Sequence, residues 1–139
     1  MAKKRPKRWV ASSSTPHASS TLSATARSEI ETKAKDLIEK ELKPRYVEPP
    51  PSEPRFNYVI DLATKWHGRY FYLVAIYACP GPNAISPTFE SNFARLEPVG
   101  LGRFNLAFMQ HAEKWHELYT GLTLDECLNS IRDDPWFQP

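Results

Sequence analysis

From Tyr70 to Cys79 the chain reads Tyr-Phe-Tyr-Leu-Val-Ala-Ile-Tyr-Ala-Cys, with no charged or strongly polar side chain. A period of two places Tyr70, Tyr72, Val74 and Ile76 on one face and Phe71, Leu73, Ala75 and Tyr77 on the other. The run is too short to cross a bilayer as a helix, is rich in β-branched and aromatic residues, and lies between His67-Gly68 and Pro80-Gly81-Pro82. A strand with no solvent side belongs in the middle of a sheet, with neighbours on both edges and cover on both faces. The rest of the chain must supply that surrounding.

Four further segments can pair with it. Tyr58, Ile60 and Leu62 alternate with Asn57, Val59 and Asp61, which predicts a first strand. A third strand is expected from about Phe89 to Leu96, a turn from Pro98 to Gly102, a fourth strand from Arg103 to Gln110 and a fifth from Trp115 to Thr120. The short connections favour an antiparallel meander. Ser28-Glu29-Ile30-Glu31 matches a capping box, and Ile30, Ala34, Leu37, Ile38 and Leu42 recur at helical spacing to about Lys43, where Pro44 is expected to end the helix. A second capping box, Thr123-Leu124-Asp125-Glu126, precedes Cys127, Leu128 and Ile131. The expected fold is α+β: an antiparallel sheet of about five strands flanked by an N-terminal and a C-terminal helix, in the order α-β-β-β-β-β-α. Whether both helices lie on one face or one lies on each is left open. The two helices and the Pro-rich connector, residues 44–55, are expected to cover the aromatics of the sheet.

A chain of 139 residues suffices for one such domain. Its charge is divided unevenly. Residues 1–27 hold six bases and no acid, so the remainder carries 12 bases against 16 acids, about −4. The stretch from Ala11 to Ala26 is mostly Ser, Thr and Ala, too poor in apolar surface to offset the entropy of ordering. Residues 1–27 are therefore expected to form a disordered basic arm and residues 28–139 a single folded domain. Lys3, Lys4, Arg5, Lys7 and Arg8 can displace counterions from phosphates, and Trp9 can stack on a base. Weak, nonspecific nucleic-acid contact is expected through this arm, since an acidic domain lacks the basic face of a folded reader.

Motifs for common chemistries are missing. The sequence holds no GxxxxGK[ST], GxSxG or HExxH, and Gly100-Leu101-Gly102 precedes a strand, so it reads as a hairpin turn and not a phosphate loop. His111 and His116 would face each other if residues 112–115 connect two strands, close enough to share a metal, with Glu113, Asp61 or Cys79 as candidate further ligands. None of these stands at a diagnostic spacing. Cys127 falls on the apolar stripe of the last helix, and Cys79 has no His and Asn pattern to mark it as a nucleophile. Two cysteines outside a CxxC pair suit a reducing compartment, no segment reads as a membrane span, and the basic start lacks the apolar segment of a secretory signal. A cytoplasmic protein without a cofactor is expected. Two functional classes remain: a noncatalytic binding or adaptor module that engages a protein or a second copy of itself, and a small enzyme or ligand-binding protein with a pocket beside the aromatic sheet.

Overall fold

The computed structural model describes residues 22–50, 56–82, 84, 86–110 and 114–139. Five antiparallel strands follow one another in space as they do in sequence: β1 (Tyr58–His67), β2 (Tyr70–Ala78), β3 (Thr88–Gly100), β4 (Arg103–Met109) and β5 (Trp115–Thr123). Helical residues Ala24–Tyr46 precede the sheet, and helix Leu124–Asp133 follows it, ahead of a 3-10 turn at Pro135–Phe137. The expected α-β5-α order is the observed one.

The first helix differs from its sequence reading at both ends. It starts at Ala24, with Ser23 Oγ accepting from the Ala26 amide at 3.1 Å, so Ser28 lies inside it. Alanines at positions 24 and 26 favour helix, and Ser23 supplies the cap that Ser28 was expected to provide. Nor does Pro44 end it. After α1 (Ala24–Leu37) the chain widens into a π turn (Ile38–Leu42), where the Lys43 amide reaches back to the Ile38 carbonyl, and then continues as α2 (Lys43–Tyr46). Pro44 thereby occupies the first turn of a new helical segment, where a missing amide costs little. Ile30, Ala34, Ile38 and Leu42 still form one buried row. Extended backbone begins only at Val47, and the connector residues 51–55 lie outside the described residues.

Within the sheet, β3 runs on to Gly100 through Pro98, which pairs with Phe104 on β4. Proline is tolerated there because β2 last pairs β3 at Leu96, leaving that side of Pro98 without a ladder to supply. The turn contracts to Leu101 and Gly102, both with positive φ, as a two-residue hairpin demands. Gly121, with φ 68°, sits in an irregular stretch of β5 and lets the strand continue to Thr123.

All the described helices pack on one face. The helix called α3 here (Leu124–Asp133) begins with the expected capping box, formed by Thr123 and Glu126. Its Cys127, Leu128 and Ile131 join the α1 row and Phe137 over Leu62, Phe71, Leu73, Phe93, Ala94, Leu96, Phe104 and Leu106. These strand residues share the Phe71 side of the sheet. The helices are joined to each other by Lys33–Asp125 at 3.2 Å and by Arg45 donating to the Arg132 carbonyl at the end of α3. Arg27, near the start of α1, stacks over Trp66 with its guanidinium carbon 4.4 Å from the ring centroid.

Candidate functional site: the helix-free face of the sheet

The side of β2 that carries Tyr70, Tyr72, Val74 and Ile76 receives no described helix, so of the two placements left open by the sequence both helices lie on one face; connector residues 51–55, also expected to give cover, lie outside the described residues. The core cluster that includes the helices excludes Tyr72, Val74 and Ala107, although these are only 8, 2 and 2% exposed. They are covered by neighbours on the same face. The reason lies in the register: Tyr72 stands opposite Arg95 on β3, Arg95 opposite Ala107 on β4, and Ala107 opposite Glu117 on β5. Alanine at the centre of that row leaves room for long side chains to lean inward from either side.

Four side chains use that room. The Arg95 guanidinium carbon lies 4.5 Å from the Tyr70 ring centroid and 5.0 Å from that of Trp115. Tyr72 closes the ring of contacts, 6.2 Å from Tyr70 and 5.6 Å from Trp115. Two aromatic rings thus offer their electron-rich faces to one cation, and Tyr72 bridges them. The neighbouring cations are held by acids, Lys65 by Glu90 at 3.4 Å and Arg69 by Glu97 at 2.8 Å. Arg95 has no such ion pair among the described residues. Its Nε is buried and has no hydrogen-bond acceptor among the described residues.

Sequence reasoning identified Tyr70, Tyr72 and Trp115 as sheet aromatics but passed over Arg95. A signal was present: Arg95 is the lone cation within Phe93-Ala94-Arg95-Leu96, a segment otherwise written for burial.

The other predicted residues that are described stand apart from this cluster. His116 pairs with Phe108, next to the Trp115–Met109 pair and the Gln110 amide that donates to the Lys114 carbonyl. Its ring stacks on Phe108 at 5.6 Å. His111 and Glu113 lie outside the described residues. Asp61 and His116 occupy opposite edge strands, roughly 19 Å apart by four interstrand spacings, so Asp61 does not complete a site there. It binds Lys43 at 3.1 Å instead. Among the described residues no group of three His, Cys, Asp or Glu side chains could hold a metal ion. Lys3, Lys4, Arg5, Lys7, Arg8 and Trp9 also lie outside the described residues.

Cys127 is fully enclosed, and burial pushes its thiol up to about 12, which removes it as a nucleophile at neutral pH. Cys79 is a half-buried free thiol at the end of β2. An open groove of about 830 Å³ runs between α1 and α3, on the side away from Arg95. Two ion pairs close within it, Lys33 with Asp125 and Lys40 with Asp36 at 3.0 Å. No described helix is long and apolar enough to cross a membrane.

A family model described as a domain of unknown function, DUF3024, matches residues 22–139, from the residue before the Ser23 cap through the last helix. The chain belongs to the DUF3024 family. The whole DUF3024 match therefore coincides with the helix, five-strand and helix unit described above. No curated protein and no solved structure matches the chain. The function of this DUF3024 domain is not set by relationship and must be read from its surface.

Proposed function

We propose that this DUF3024 chain is a noncatalytic binding module, that its contact surface is the helix-free face of the sheet, and that Lys3 to Arg8 tether it to an anionic partner. The observation that carries this reading is the closed ring of Tyr70, Tyr72, Arg95 and Trp115 on a face that no described helix covers. Tyrosine, tryptophan and arginine are the side chains that dominate binding energy at protein interfaces, because they bury large areas at small conformational cost. A flat sheet face suits a macromolecular surface, whereas an enzyme site requires a concavity with converging polar groups. The groove between α1 and α3 lies on the opposite side, and two ion pairs close within it. The partner is a protein or a second copy of the chain. Two free thiols support placing the module in a reducing compartment, the cytoplasm.

Photo-crosslinking inside cells tests the surface. A benzophenone side chain at Ile76 or Met109, both on the helix-free face, should give discrete protein adducts, while the same group at Lys40 on the helices should not. An adduct of twice the chain's mass would identify the second copy as partner. Adducts formed equally well from Lys40, or only from there, would overturn the reading.

A further inference from the structure

We infer that Arg95 is a receptor for a carboxylate, supplied by an acidic side chain of a protein partner that docks on the helix-free face. The inference rests on the functional reading above and names the chemistry its surface recognises. Stacking occupies the two faces of a guanidinium and leaves its in-plane N–H edge for hydrogen bonding. With Tyr70 at 4.5 Å and Trp115 at 5.0 Å, the Arg95 guanidinium lies over two ring faces that limit where it can move. The Nε–H is buried and has no acceptor among the described residues, a state that costs free energy until the packing over it yields to one. A planar carboxylate matches the planar fork through two parallel hydrogen bonds.

Charge decides between carboxylate and phosphate. The residues of this face include Lys65, Arg69 and Arg95 on one side of the balance and Glu90, Glu97 and Glu117 on the other. Lys65 and Arg69 are already neutralised by Glu90 and Glu97, which leaves Arg95 as the one cation and Glu117 as the one anion of that set without an ion pair among the described residues. One carboxylate satisfies that demand. A nucleic-acid backbone would instead bring several phosphates against one unpaired cation and the unpaired Glu117. The rings of Tyr70, Tyr72 and Trp115 beside the guanidinium suit an acidic residue whose neighbours in the partner are apolar or aromatic.

Benzoate, benzamide and inorganic phosphate are sufficient probes, each titrated into the full-length protein. The readouts are the Arg95 Nε–H resonance and the backbone resonances of the helix-free face. The expected result is saturable binding of benzoate with a shift of the Arg95 Nε–H signal, and binding weaker by about tenfold for benzamide, which keeps the ring and loses the charge. Arg95→Lys, which keeps the charge and loses the fork, should weaken benzoate to the benzamide level, with backbone dispersion confirming that the variant is folded. Equal binding of benzoate and benzamide would overturn the carboxylate inference while leaving the face as a binding surface. Phosphate binding more tightly than benzoate would also overturn it, in favour of a nucleic-acid or phosphorylated ligand. No perturbation of the face by any probe would sink both this inference and the surface reading on which it depends.

Discussion

Tyr119 on β5 donates its hydroxyl proton to Asp134 Oδ2 at 2.8 Å, fastening the last strand to the residue that ends α3. The bond raises the tyrosine pKa, because the donor must keep its proton and a carboxylate faces it. Its contribution is therefore complete below the ordinary tyrosine range and is lost as pH rises through the raised value. Tyr119→Phe should lower the melting temperature at neutral pH by a few degrees, the usual scale for one hydrogen bond in a domain of this size. Thermal melts in strong alkali should show the two proteins converging.

Glu126 supplies the opposite pH signature. Its carboxylate accepts from the Thr123 amide at 2.8 Å and lies 3.8 Å from Arg103, and the amide bond above all holds its pKa below the ordinary value. A depressed carboxylate pKa stabilises above the unfolded value and ceases to do so as pH falls through the folded one. Glu126→Gln should be the less stable protein at neutral pH, and the gap should close as the medium is acidified below the ordinary glutamate range. Paired melts across acid pH would check this, and a gap that persists in acid would refute it.

Leu101 occupies the tip of the β3–β4 hairpin with φ 56° and its side chain wholly exposed. A branched residue in the left-handed region is strained, and an exposed side chain recovers nothing from packing. Leu101→Asn should stabilise the fold by about 1 kcal/mol, since asparagine adopts this conformation more readily. Urea denaturation with an unchanged slope and a higher midpoint is the expected result.

Leu106, 0% exposed, stands opposite both Leu96 and Tyr119 beneath the helices. Leu106→Ala should cost about 2–5 kcal/mol through lost burial and the cavity left behind. A value under 1 kcal/mol from chemical denaturation would contradict the placement of the core.

For the arm, deleting residues 1–10 should abolish salt-sensitive, sequence-independent binding of an oligonucleotide while leaving the melting temperature unchanged. Fluorescence anisotropy at increasing salt measures the first and a thermal scan the second. Binding that survives the deletion would transfer nucleic-acid contact to the folded domain.

The strand parity of β2 was legible because an all-apolar run admits only one alternation, and the β meander followed from short connections. The capping box at Thr123 was legible because its pattern is local. Pro44 misled because a π turn is a property of the helix ladder and is not written at the proline itself. The Arg95 ring required the register of four strands, which brings together residues 70, 72, 95 and 115. No local pattern contains that alignment. The covering of one face only was equally hidden, because aromatic side chains on an uncovered strand can shield their small neighbours without a second layer.

The sequential order of the strands also has a consequence for the chain while it is being made. Each strand can pair with the one that left the ribosome just before it, so the sheet can assemble during synthesis. Its apolar side is completed last: Cys127, Leu128, Ile131 and Phe137 are translated after every strand, and Phe137 then sets its ring edge-on to Phe108 at 6.4 Å. Until those residues emerge, a nascent chain that has finished β5 presents Leu96, Leu106 and Phe104 to solvent without the cover of α3. That interval, more than any weakness of the finished fold, is when a chaperone would have most to hold.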